Sequence, residues 1–256
     1  MTFIVLAAVF LSKSAAVVLI PLSMNYFKVF LSSGIAFFIA IIVASLVEKL
    51  GGALGSIIGT IPTTLIPTAY LIMTEASSSE QEKVDSTLAL VFGILGTDLV
   101  FLPTWRILPP KLPKNWRNGY KIIVTTIVST LLWFICAVAT ILVQSFLKTK
   151  GVSMWVISVT IVVFCILFGV CLCWSLPPTP AGKNKVKWYV HLCRGLAAFC
   201  ALFICGIMSQ MGLGVVAGAM GSFPAVFLTT MVSVSLSQSA DVATGAIGPL
   251  IMGSIS

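Results

Sequence analysis

Nine apolar stretches, each about the length of one bilayer crossing, fill most of this chain: 2–22, 29–48, 50–74, 86–103, 121–146, 152–176, 189–209, 212–236 and 242–256. Hydrocarbon offers a backbone amide no partner, so a crossing segment must bond internally as a helix or close into a barrel. No stretch alternates apolar and polar residues as barrel strands do. The expectation is an all-α, polytopic membrane helix bundle. Composition agrees: 59% of residues are hydrophobic and 9% charged, where a soluble domain carries about 25% charged residues. The mean hydropathy is +1.12.

The net charge of +8 superficially suits a nucleic-acid binder. Its distribution excludes one, because the basic residues sit in short loops between apolar runs. Loop 104–121 carries Arg106, Lys111, Lys114, Arg117 and Lys121, and loop 177–194 carries Lys183, Lys185, Lys187 and Arg194. Neither holds an acid. The positive-inside bias places both loops, and by counting back the N-terminus, in the cytoplasm. Loop 75–85, with Glu75, Glu80, Glu82 and Asp85, falls outside. Lys148 and Lys150 fall outside too, against the bias. Trp105, Trp116, Trp155, Trp174 and Trp188 lie at the ends of apolar runs, where interfacial belts form.

Part of the chain occurs twice. GIAFFIAIIVASLVEKLG (34–51) aligns without a gap to GLAAFCALFICGIMSQMG (195–212). GSIIGTIPTTLIPTAY (55–70) then lies over AGAMGSFPAVFLTTMV (217–232), with Gly59 on Gly221, Pro62 on Pro224 and Thr68 on Thr230. STLALVFGILGT (86–97) lies over ATGAIGPLIMGS (243–254). The copies are the second and seventh spans, an odd offset of five, so they have opposite orientations in the bilayer. The reading is two inverted-topology repeats with a Gly/Pro-broken helix in each: 1–147 as a first five-helix unit, and 148–256 as a second unit whose fifth helix is missing. A tenth span is therefore expected, from a longer gene product or from a neighbouring copy in a homo-oligomer.

The two Gly/Pro segments are the candidate binding site. Pro62 and Pro224 each remove a backbone donor. A helix opened there presents amide ends to an anion and carbonyl ends to a cation. Hydroxyls gather at the same positions. The candidate substrate-binding residues are Thr60, Pro62, Thr63, Thr64, Thr68, Gly221, Ser222, Pro224, Thr229 and Thr230. The competing reading is close packing, since small residues at Gly51, Gly55 and Gly59 let helices approach. Asp98, in GILGTDLVFLP, is an ionisable group within a span and a candidate for a coupling ion or proton. The alternative puts it near the cytoplasmic surface, paired with Arg106 or a headgroup. Its aligned position is Ile255, so the carboxylate is not duplicated.

Other polar residues carry less. Asp241 suits a helix N-cap, Lys13 a snorkelling side chain, Glu48 and Lys49 a solvated pair, and His191 an interfacial position. Cys171-Leu-Cys173 with His191 and Cys193 fits no standard zinc spacing, so no metal is expected. The seven cysteines read as small core residues, and Cys193 beside Arg194 as a weak palmitoylation pattern. No nucleophile, metal-hydrolase or phosphate-loop motif is present, so neither an enzyme nor a cofactor is expected.

The architecture, two five-span units with a broken helix in each, resembles inverted-repeat secondary transporters with five helices per repeat, while GTIPTTLIPTAY and GSFPAVFLTTM match no named family motif. Folds like those of bile-acid/sodium symporters and cation/proton antiporters are the nearest in architecture. The resemblance implies alternating access to a small solute or ion, with lipid as the surrounding partner, and carries no ligand residue over. The expected function is a secondary transporter. A scaffold whose glycines serve only packing is the alternative, and a channel is a lesser one, because the polar clusters lie at one depth.

Overall fold

A computed structural model describes residues 25–50, 64–74, 79–174 and 187–237, together with Ile247 and Ile251. These residues form, in chain order, α1 (Tyr26–Leu50), α2 (Leu65–Met73), α3 (Glu80–Gly96), a π-helical turn (Thr97–Phe101), α4 (Leu102–Lys111), α5 (Asn118–Thr149), α6 (Met154–Trp174), α7 (Trp188–Gln210), α8 (Gly214–Gly221) and α9 (Ala225–Ser237). Among the described residues, five segments are long and apolar enough to cross a membrane: Tyr26–Leu46, Glu80–Lys111, Asn118–Thr149, Trp188–Gln210 and Gly214–Leu236. They coincide with the expected spans 29–48, 86–103, 121–146, 189–209 and 212–236. Spans 2–22 and 242–256, and all of 50–74 but its last part, fall outside the described residues or nearly so.

One boundary is corrected. The fourth span continues past residue 103 to Lys111, so the first basic loop shrinks to 112–117. Pro103 explains how the helix carries on. It cannot donate to the Leu99 carbonyl. The chain widens into a π turn instead, in which the Leu102 N–H reaches back to the Thr97 carbonyl. The Thr104 hydroxyl donates to the Val100 carbonyl at 2.6 Å. The π turn carries the helix past the proline with its backbone bonding continued on either side, as a span in hydrocarbon requires.

Local signals set the other ends. Ser79 and Glu82 form a reciprocal capping box that starts α3: the Glu82 N–H donates to Ser79 Oγ at 3.3 Å, and the Ser79 N–H donates to Glu82 Oε2 at 3.0 Å. Gly212, at φ 74°, stops α7. The Leu213 N–H returns to the Met208 carbonyl and the Gly212 N–H to that of Ser209, a left-handed closure that glycine adopts without strain.

The contacts fix helix directions. α1 and α7 run antiparallel: Gln210 Nε2 donates to the Asn25 carbonyl at 3.3 Å, the Phe30 and Phe199 rings lie 5.5 Å apart, and Gly195 rests on Phe37 and Ile41. α3 and α8 run parallel, with Ser86 against Gly214 and Gly218, and Gly93 against Ser222. α5 runs against α3, as Trp133 meets Thr97 at one level and Lys148 meets Asp85 at another. α9 also opposes α5: the Phe223 and Trp133 rings are 5.1 Å apart, and Asn118 Nδ2 donates to the Ser235 carbonyl at 3.1 Å. The Gly212 turn sends α8 back along α7, so α5 and α7 begin at the same end of the bundle.

Lipid supplies no hydrophobic drive between helices, so association rests on close packing. Glycines provide it here. A methyl at Gly206 would sit 2.6 Å from Val29, and one at Gly195 2.9 Å from Phe37 and Ile41. Outward faces are apolar, as in Phe27, Phe38, Ile42, Ile127 and Ile135, all exposed to where lipid would lie.

Candidate functional site

Helical bonding in the last crossing segment stops at Gly221 and resumes at Ala225. Pro224 has no N–H to give the Met220 carbonyl. The Phe223 N–H takes its place at 2.9 Å, and the Ser222 hydroxyl donates to the Ala219 carbonyl at 2.6 Å. This interruption lies against α3. Gly93 has no side chain, and Ser222 occupies the space where one would stand. Four residues on, the Thr97 hydroxyl lies 3.2 Å from the Gly93 carbonyl and 3.4 Å from the Ser222 carbonyl. Trp133 of α5, wholly buried, donates its indole N–H to Thr97 Oγ1 at 3.1 Å. On the other flank, Thr68 of α2 is buried against Gly221, with its hydroxyl donating to the Thr64 carbonyl at 2.7 Å.

Four helices thus meet at one point, and their polar atoms are mainly oxygens. Of the expected site residues, Thr68, Gly221, Ser222 and Pro224 come together here. Thr64 stands at the start of α2, half-buried. Thr229 and Thr230 lie further along α9, where each hydroxyl returns to a carbonyl of its own helix. Thr60, Pro62 and Thr63 lie outside the described residues, as do Asp241, Lys13 and the side chains of Glu48 and Lys49. How the first copy passes its proline therefore falls outside them too.

Asp98 follows Thr97 in the π turn and is fully buried. It is not at a surface, and Arg106 is not its partner, since Arg106 makes no ion pair or hydrogen bond among the described residues. The extension of the helix to Lys111 is the reason: the expected span end near residue 103 placed Asp98 too shallow. Its carboxylate is close enough to the Cys165 thiol of α6 to interact electrostatically. Thr97 faces α5 and α8, so Asp98 belongs to the neighbouring face of the same turn.

Two further groups were not legible in advance. Lys148, which defied the charge bias, pairs with Asp85 at 2.6 Å, and Gln81 Nε2 donates to the other Asp85 oxygen at 2.9 Å. Trp105 is buried at 2% exposure, not interfacial, because the lengthened span carries it inward. Trp116, Trp155 and Trp188 are exposed as expected. Among the described cysteines all are free.

Among the described residues the fold is all-helical, and its five long apolar helices mark a multi-pass membrane protein. The chain matches no protein-family model, no curated protein and no solved structure.

Proposed function

We propose that this chain is a secondary transporter, moving a small solute or ion by alternating access at the contact between α3 and the α8–α9 interruption. The observation that carries this reading is the meeting of Ser222 with Gly93, Thr97 and Trp133. An interruption in hydrocarbon normally costs several kcal/mol per unpaired group. Here it is buried where four helices cross, and hydroxyls and carbonyls gather around it.

The antiparallel packing of α1 on α7 supports inverted repeats, because these helices are the aligned copies 34–51 and 195–212. A pair related by a two-fold axis in the membrane plane would pack this way. Asp98 is the coupling group in this reading: a buried carboxylate one residue from Thr97 can carry a proton or hold a cation. The basic ends of α5 and α7 face the cytoplasm.

The test is reconstitution into liposomes loaded with a pH-sensitive dye, challenged with a panel of monovalent cations and small organic acids. Solute-dependent flux is expected in wild type, with a loss of about tenfold or more in Ser222→Ala and Thr68→Val and loss of the proton signal in Asp98→Asn. Flux unaltered by all three substitutions would count against the site.

A further inference from the structure

The buried positions of α5 are Ile122, Thr125, Ser129, Trp133, Ala137, Thr140 and Gln144. Steps of three and four place them on one helix face. The opposite face, with Ile123, Ile127, Leu131, Ile135 and Val138, is exposed and apolar. So this helix turns its polar residues inward along most of its length, and the polar depth of the bundle extends well beyond the Ser222 level.

We propose that this inward face of α5 is the solute lane of the transporter, in two halves, closed midway by Trp133 and at its Asp85 end by Lys148, and that it takes small cations. The proposal rests on the transport reading above. The bland alternative is that these hydroxyls simply satisfy themselves. Thr125, Ser129 and Thr140 do each donate to a carbonyl of their own helix, at 2.8, 3.1 and 2.8 Å. That consumes the hydrogen and leaves oxygen lone pairs on the inward face.

Gln144 does not fit the bland reading. It is 3% exposed. Its Nε2 reaches the Asp85 carbonyl at only 3.5 Å, and its buried Oε1 has no hydrogen-bond partner among the described residues. A buried acceptor of this kind calls for a donor. In the other half, buried Trp105 has an indole N–H likewise without a partner among the described residues, in the packed cluster that holds Ile122 and Trp133.

Gln144 thus touches the Asp85 backbone, and the Asp85 carboxylate, its side chain 4% exposed, is held by Lys148, whose side chain is 57% exposed. The two partners differ in freedom. Asp85 is fixed by Gln81 and by burial, while the Lys148 stem already lies largely in the open. Lys148 is the part that can swing away. Its ammonium occupies the place that an incoming cation would take on the Asp85 carboxylate. Oxygen lone pairs below and a carboxylate at the mouth select against anions.

The test uses a cysteine-free background with single cysteines at Thr140, Gln144 and, as the outward control, Val138. The probes are a cationic methanethiosulfonate and its anionic counterpart. A thiol reacts as the thiolate, which apolar surroundings suppress; labelling of Thr140→Cys and Gln144→Cys is therefore expected to exceed that of Val138→Cys by about tenfold or more. The cationic reagent should be the faster, and Lys148→Met should raise both lane rates. Rates equal to the control at both lane positions overturn the lane. Unchanged rates in Lys148→Met overturn the latch. Labelling needs no turnover, so the two readings fail separately. Flux with an unlabelled α5 sinks the lane alone, and a labelled α5 without flux sinks transport.

Discussion

Glycine does different work at different positions, and the difference is measurable. A methyl on Gly93 would run into Ser222 and lie 2.7 Å from the Ala219 carbonyl, whereas one on Gly34 meets nothing within 4 Å. Gly93→Ala is therefore expected to lower stability by about 1–3 kcal/mol, the usual range for overpacking, and Gly34→Ala to leave it nearly unchanged; thermal unfolding in detergent compares them. Gly218→Ala should be at least as harmful as Gly93→Ala, because its methyl would meet the Ser86 backbone carbonyl, which cannot rotate away. The α8 glycines are thus packed closely, while Gly51, Gly55 and Gly59, for which close packing is the competing reading, lie outside the described residues. Sequence alone could name Thr68, Gly221, Ser222 and Pro224, because proline and hydroxyls stand out in an apolar run. It could not name Gly93, Thr97 or Trp133. A glycine carries no sign of what it faces, and a tryptophan in mid-span looks like any other apolar residue until a partner is known. Trp133→Phe keeps an aromatic ring but removes the indole donor and leaves a cavity at a wholly buried position. It should cost about 1 kcal/mol for the hydrogen bond plus about 1–2 kcal/mol for the cavity, measured as a shift of the unfolding midpoint.

At the scale of elements, three helices show how a local feature resets a boundary. α3 runs through the π turn into α4, because the chain widens where Pro103 lacks a donor and the Leu102 N–H reaches back to the Thr97 carbonyl. Hydropathy ends this span early, since Arg106, Pro109 and Pro110 read as loop. That single misjudged end placed both Asp98 and Trp105 too near the surface. α5 was legible as a span, but its inward stripe was not, because Thr and Ser at spacing four scarcely dent an apolar average. The Asp85–Lys148 pair joins α3 to α5 at the opposite end from the basic loops. With the lysine more than half exposed, its coupling should be small, about 1 kcal/mol or less. A double-mutant cycle with Asp85→Asn and Lys148→Met checks this. A value several times larger would describe a fixed strut, which could not serve as a latch.

At the scale of the whole molecule, apolar run length and charge placement were enough to give a helical membrane bundle, since only helices satisfy a backbone in lipid. The helix directions follow the alternation that the spans imply, and the aligned copies α1 and α7 lie antiparallel against each other. The two are not equivalent in detail. Gly195 is pressed by Phe37 and Ile41, while its counterpart Gly34 faces open space. Under the proposed transport function, two halves in different local arrangements are what alternating access requires, because exchanging those arrangements would move the site from one side to the other. The most direct test of that claim is counterflow. Liposomes containing the purified protein are preloaded with whichever panel solute it moves, then diluted into a trace of the labelled form. A carrier should accumulate label transiently above its equilibrium level, with the overshoot abolished in Ser222→Ala. Label that only equilibrates, or that never enters, would contradict alternating access at the α3–α8 contact.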